Sequence, residues 1–250
     1  MAETIAEPSL TMPPDREPPL SRRIAAEAIG SFFLFTSVIG SGIMAERLSG
    51  GNEAVALLGN TLSTGAILFV LITMLRPVSG AHLNPAVTLV ASSRGELAWS
   101  DAAGYALAQT VFGIIGAWAA NLMFGLPALQ LSVKARSGPG QWMGEAIATF
   151  GLILTILGTV RHRREWMPPS VALYIVAAYW FTSSTSFANP AITIARSLTN
   201  TFAGIAPGDV PMFIVAQLLG AFCAALTARW LFMPQEIPRQ IAGRSAPHLT

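Results

Sequence analysis

The tripeptide Asn84-Pro85-Ala86 recurs as Asn189-Pro190-Ala191, once in each half of a chain that is otherwise apolar. Asn is a good N-cap and Pro is favoured at the first helical position, so each copy reads as the start of a helix. The helices expected are short, over residues 85–91 and 190–198. Neither is long enough to cross a bilayer, which takes about 20 residues. A half-helix at membrane depth is tolerated only inside protein or along a wet cavity. Two such polar turns therefore point to a pore or a transport site, around which the rest of the chain must be built.

The surroundings are membrane-grade. Of 250 residues, 52% are hydrophobic and only 11% charged, against about a quarter charged in a soluble domain. Six stretches are apolar enough to span: 24–44, 55–75, 102–126, 142–160, 171–187 and 212–233. The fifth runs into Thr182-Ser-Ser-Thr-Ser186, which leaves its end the least defined. Residues 1–21 carry Pro8, Pro13, Pro14, Pro18 and Pro19 with mixed charge and no apolar centre. They read as a disordered tail rather than a signal peptide, and 235–250 reads as a second tail. The net charge of +2 comes from dispersed Arg, which gives no nucleic-acid surface. The single Cys223 excludes an internal disulfide and, in an apolar run, reads as a core residue. Trp142, Trp166, Trp180 and Trp230 fall near span ends, as interfacial anchors do.

Charge sets the orientation. With six spans, one side holds Arg16, Arg22, Arg23, Arg76, Arg94, Arg161, Arg163, Arg164, Arg229, Arg239 and Arg244. The other holds Arg47, Lys134, Arg136 and Arg196, and together these are all 15 Lys and Arg. The positive-inside rule places both termini in the cytoplasm of a cell-membrane protein.

The chain also repeats itself. Glu27 lies in Ala-Glu-Ala-Ile-Gly-Ser-Phe and Glu145 in Gly-Glu-Ala-Ile-Ala-Thr-Phe. Gln109 follows the first Asn-Pro-Ala and Gln217 the second. The order Glu, Asn-Pro-Ala, Gln is thus kept over repeats at about 22–130 and 140–234 of one 22–234 domain. Each repeat has three spans and a half-helix. Three is odd, so the second copy enters the membrane inverted, and the site falls at the repeat interface near the midplane. The fold class expected is an all-α membrane protein of six transmembrane helices and two re-entrant half-helices.

Glu27 and Glu145 are carboxylates in apolar spans, and a buried charge needs a partner. Their symmetry favours a structural role, accepting hydrogen bonds from the re-entrant loop of each half; a proton relay is the alternative. Gln109 and Gln217 are expected to help hold the loops. A lone His82 is no metal site, since ligands cluster. It is expected to pack at the cytoplasmic mouth, with its carbonyl lining the path. Frequent glycines in the spans are explained by close helix packing. Nucleophile–base sets, phosphate loops, metal spacings and ATP motifs are missing from the sequence, so an enzyme or ATP-driven pump is not expected, nor any cofactor.

These motifs resemble those of the aquaporin and glycerol-facilitator (major intrinsic protein) family over roughly 22–234. The resemblance implies a right-handed bundle, a homotetramer with one pore per subunit, and passive conduction of water or small uncharged solutes. It also implies a four-residue constriction outside the Asn pair. Counting along the motifs places its members on Thr64, Ala177, Ser186 and Ile192. The last position is usually Arg. Here Arg196 follows four residues later, at about 40° around a helix and about 6 Å along it. Two readings of Arg196 stand: a pore residue reaching back, or a basic residue at the interface. The departure resembles a bacterial branch associated with arsenic resistance, which implies arsenous acid, similar metalloid hydroxides or methylated arsenicals beside glycerol. Thr64 and Ala177 imply a wide filter without an aromatic wall, unless Phe181 or Phe187 swings in. A water-selective channel, a non-conducting junctional protein and a proton-coupled transporter are the alternatives.

Overall fold

In the computed structural model, residues 17–232 are described, and among them the chain is helical with no strand. The tail expected over 235–250 and residues 1–16 of the one expected over 1–21 lie outside the described residues; the first tail stops short of 21, because Leu20 and Ser21 already belong to the first helix. Eight helices follow in order: α1 Leu20–Leu48, α2 Glu53–Ser79, α3 Pro85–Ser93, α4 Trp99–Met123, α5 Pro139–His162, α6 Met167–Phe181, α7 Pro190–Arg196 and α8 Val210–Leu231. Five are long and apolar enough to cross a membrane: α1, α2, α4, α5 and α8 with its leading 3-10 turn.

The fifth expected span is the one that differs. The sequence places it at 171–187, but α6 has 15 residues and stops at Phe181. At 1.5 Å per residue it covers roughly 22 Å, short of the hydrocarbon thickness of about 30 Å. A 3-10 turn, Arg164–Trp166, leads into it; after it the irregular segment 182–189 meets the start of α5 at Gly140 and runs back to Asn189, which is tied to Leu83. Small polar residues there compete for backbone hydrogen bonds and end the helix. Irregular backbone at this depth must be buried in protein, and Thr182, Ser184 and residues 186–189 are.

Local chemistry explains the other ends. Asn52 caps α2, its Oδ1 accepting from the Ala54 and Val55 amides. Pro77 lies in the last turn of α2, and Gly80 in the left-handed region (φ 88°) ends it. Pro139 and Pro190 occupy first helical positions. Helix α4 ends at Met123 rather than 126.

Two helix pairs form the frame, α1 on α4 and α5 on α8, and α2 packs on α1 and α6. Gly116 and Gly220 sit at these paired interfaces, where a Cβ would overlap the Phe32 and the Ala146 carbonyl oxygens. Half-helices α3 and α7 each contact both α4 and α8, and they touch each other. Two sequence expectations change here. Cys223 faces outward rather than into the core, and Trp142 packs against the core while Trp166, Trp180 and Trp230 are exposed.

Candidate permeation pathway

The two Asn-Pro-Ala turns are tied to each other. Asn84 Nδ2 donates to the Ala188 carbonyl at 2.7 Å, and Asn189 Nδ2 donates to the Leu83 carbonyl at 2.9 Å. Each Oδ1 turns back to cap its own helix, Asn84 on the Ala86 amide and Asn189 on those of Ala191 and Ile192. An amide nitrogen has two N–H groups. One on each Asn is spent on the cross-tie, which leaves the other for the cavity that both residues line.

The loops before each Asn have one shape written twice. Gly80, Ala81 and Leu83 have φ of 88°, 50° and 50°; Thr185, Ser186 and Ala188 have 61°, 49° and 49°. Left-handed residues other than Gly persist only where the surroundings over-determine them. Here a buried carboxylate does so in each half. Glu27, with no exposed surface, accepts from Ser79 Oγ (2.6 Å), the His82 amide (2.9 Å), the Leu83 amide (2.6 Å) and Gln109 Nε2 (2.8 Å). Glu145, equally buried, accepts from the Phe187 amide (2.8 Å), the Ala188 amide (2.9 Å) and Gln217 Nε2 (2.5 Å). Charge-assisted bonds to a carboxylate are the strong kind. In a trans peptide the carbonyl points opposite to its N–H. Drawing these amides to Glu27 and Glu145 therefore turns the Ala81, His82, Ser186 and Phe187 carbonyls the other way, and all four residues line the cavity.

Each Gln has a second partner that sequence reasoning missed. Gln109 Nε2 donates to Thr88 Oγ1 and Gln217 Nε2 to Thr193 Oγ1, and both Thr hydroxyls bond the carbonyl of their own Asn. The signal was present: both copies read Asn-Pro-Ala-x-Thr. Tyr105 and Phe213 are a further pair. The first lies edge-on to His82 and bonds the Ser79 carbonyl; the second lies edge-on to Phe187.

The cavity, of about 220 Å³, runs between the loops and a wall of aliphatic side chains that includes Leu34, Val38, Leu68, Leu152, Ile156 and Ile175. One mouth carries Arg76, His82, Glu96 and Arg164, where Arg76 Nη1 donates to the Arg164 carbonyl at 2.7 Å. His82 Nδ1 lies 3.2 Å from Thr88 Oγ1. The other mouth carries Thr64, Tyr179, Ser186, Phe187, Ile192 and Arg196.

That second mouth corrects two expectations. Ala177 is exposed on the outside of α6 and does not line the cavity; Tyr179, two residues on, does. Tyr179 stands two residues nearer to Asn189 than the count along the motifs places this member. Tyr179 Oη lies 3.4 Å from Thr64 Oγ1, so the opening is not a wide one without aromatics. Phe187 adds a second ring to this mouth, whereas Phe181 stays exposed against Tyr174. Ser186 Oγ is buried with no hydrogen-bond partner among the described residues.

Arg196 does reach the cavity. It is 2% exposed, donates through Nε to the Ala203 carbonyl, and holds its guanidinium carbon 3.4 Å from the centre of the Phe187 ring. Ile192 lines the cavity one turn deeper. Lys134, in the loop between α4 and α5, has its pKa lowered by burial first, then by Arg136 and Arg196.

Comparison with known proteins places the same residues in context. The chain matches the family description "Major intrinsic protein" over residues 16–185 and 170–250. It is 54% identical over 229 residues to aquaglyceroporin AqpS of Rhizobium meliloti (strain 1021), covering 91% of this chain and 98% of that one. It is 32% identical to the lens fiber major intrinsic protein of Gallus gallus, over 90% of this chain and 86% of that one. Among solved structures, the aquaglyceroporin from Plasmodium falciparum superposes with a TM-score of 0.66 at 19% identity, covering 83% of this chain and 95% of that chain.

Proposed function

Because the chain belongs to the major intrinsic protein family, we propose that it is a multi-pass membrane channel conducting small uncharged solutes passively, with glycerol and arsenous acid as substrates and water as a co-permeant. The observation that carries this reading is the cavity itself. It has one polar edge, made of the turned-out carbonyls with Asn84 and Asn189 at its middle, and an aliphatic wall opposite. A solute with hydroxyls on one side finds acceptors and donors along the edge. It meets little on the other side that would hold it back from leaving.

The roles follow from position. Asn84, Pro85, Ala86 and Asn189, Pro190, Ala191 form the centre. Thr64, Tyr179, Ser186, Phe187, Ile192 and Arg196 form the filter, Tyr179 taking the place expected of Ala177. Glu27, Glu145, Gln109, Gln217 and His82 support the loops. Conduction needs no cofactor and no chemical step. The excess of Arg at the end bearing both described termini favours a cytoplasmic location for that end. The exposed apolar faces of the spans fit a lipid bilayer and a homotetramer.

The close approach of Tyr179 to Thr64 favours one other reading, a water-selective channel. Swelling of proteoliposomes in glycerol, urea, arsenous acid and water gradients separates the two. We expect glycerol and arsenous acid to enter roughly tenfold or more above the protein-free rate. Fast water with glycerol at the protein-free rate would establish the water-selective reading instead.

A further inference from the structure

Arg196 is not the only arginine at the filter mouth. Arg136, from the loop between α4 and α5, is 7% exposed and stands behind the cavity wall without lining it. Consecutive carbonyls hold the two side chains: Ala203 O accepts Arg196 Nε, and Gly204 O accepts Arg136 Nε at 2.8 Å. Gly204 has no room for a side chain, since a Cβ would overlap Ser132 Oγ and the Thr199 carbonyl. Both guanidinium carbons rest on one ring, 3.4 Å (Arg196) and 5.1 Å (Arg136) from the centre of Phe187. Arg136 Nη1 also donates to the Ser184 carbonyl at 3.2 Å, and it lies 3.5 Å from Thr185 Oγ1.

Among the described residues neither guanidinium forms an ion pair with a carboxylate. The ion pairs among the described residues are Arg23–Asp101, Arg94–Glu96 and Arg163–Glu165, all at the opposite end. Asp209 Oδ2 bonds the main-chain amide of Arg136 at 2.7 Å. Both oxygens of Glu145 are occupied by loop amides and Gln217. The groups in contact with them are carbonyl dipoles and the face of one aromatic ring, while the Glu145 carboxylate acts on both from a distance. Lys134, at the lip, repeats the pattern: Nζ donates to the Phe202 carbonyl at 2.9 Å and lies 4.7 Å from the Phe202 ring centre. Its pKa is lowered by burial first, and then by the charges of Arg136 and Arg196.

A guanidinium that lines the cavity can bond a neutral solute. One that stands behind the wall cannot, and what it contributes to the pathway is charge. We propose that Arg136 is a second specificity-determining residue of the filter, forming with Arg196 a two-charge barrier against cations that is seated on Phe187. This rests on the channel reading. A unit charge acting over about 8 Å in an effective dielectric of about 20 changes the occupancy of a cation roughly thirtyfold; Arg136 holds its guanidinium carbon 5.1 Å from the centre of Phe187, which lines the cavity.

The test measures entry of guanidinium and of glycerol into the same proteoliposomes, for the wild type and for R136Q, R136K, R196Q, T185D and the R136Q/R196Q double variant. Glycerol entry judges the channel reading: wild-type vesicles that exclude glycerol sink that reading, whatever guanidinium does. Where glycerol enters, R136Q should raise the guanidinium-to-glycerol ratio roughly tenfold, and the double variant roughly a hundredfold. R136K keeps the charge and should exclude guanidinium as the wild type does. T185D sets a carboxylate beside Arg136 at a left-handed position that Asp tolerates better than Thr; it should leak like R136Q, and it stands in for R136Q if that variant does not assemble. The proposal is overturned if R196Q alone leaks as much as the double variant, if the double variant still excludes guanidinium, or if R136K leaks as R136Q does. The last outcome would make Arg136 a brace for the loop rather than a charge.

Discussion

Replacing Glu145 by Ala should abolish glycerol flux and destabilise the fold by roughly 3–5 kcal/mol, since two buried loop amides lose their acceptor at about 1–3 kcal/mol each and Gln217 loses one of two. The side chain accepts from the Phe187 amide, the Ala188 amide and Gln217. Without it, two loop amides are buried unpaired, and Gln217 keeps only Thr193 Oγ1. The left-handed turn at Thr185, Ser186 and Ala188 then loses what holds it. Ala188 is also the residue whose carbonyl receives Asn84, so the damage should cross to the other repeat. Glu145→Gln should be nearly as severe, since one acceptor oxygen replaces two and an NH2 group faces donors. Swelling rates and thermal unfolding in detergent would be read together. A Glu145→Gln protein with wild-type flux would contradict the loop-support role. Loss of proton-coupled uptake with passive flux intact would revive the relay reading.

The second large effect is expected at Tyr179. Its hydroxyl faces Thr64 across the filter mouth, and the ring is 3% exposed. Tyr179→Ala should admit a four-carbon polyol, erythritol, roughly tenfold faster than the wild type, because the filter and not the aliphatic interior limits solute size. Tyr179→Phe keeps the ring and should leave the size limit where it is. The packing cost should be below the 3–5 kcal/mol typical of a large aromatic, since one side of the ring faces a cavity. If erythritol stays excluded by Tyr179→Ala while glycerol still passes, the constriction lies elsewhere.

Much of the architecture was legible because the repeat carries it. Two half-helices, two buried Glu and two Gln at matching places require an inverted pair, and the hydrogen bonds of Glu27 and Glu145 follow from that symmetry. The Thr pair at Thr88 and Thr193 is equally legible, in a motif two residues longer than Asn-Pro-Ala. The filter was not. Ala177 follows from counting along the motifs, a spacing the resemblance implies, and the irregular segment after Phe181 does not keep that spacing. The register shifts by two residues, and an exposed Ala gives way to a buried Tyr. Arg196 was ambiguous for a different reason. Helix geometry puts it one turn outward from Ile192, and only the carbonyl of Ala203 and the ring of Phe187 show where its head rests. Arg136 lies in a loop far away in sequence, where nothing in the pattern marks its destination.

The central claim is a passive path past Asn84 and Asn189. It is tested most directly by glycerol entry into vesicles carrying the purified chain, with and without an imposed pH gradient. Entry well above the protein-free rate and unchanged by the gradient is the predicted result. Entry at the protein-free rate, or uphill accumulation driven by the gradient, would contradict it.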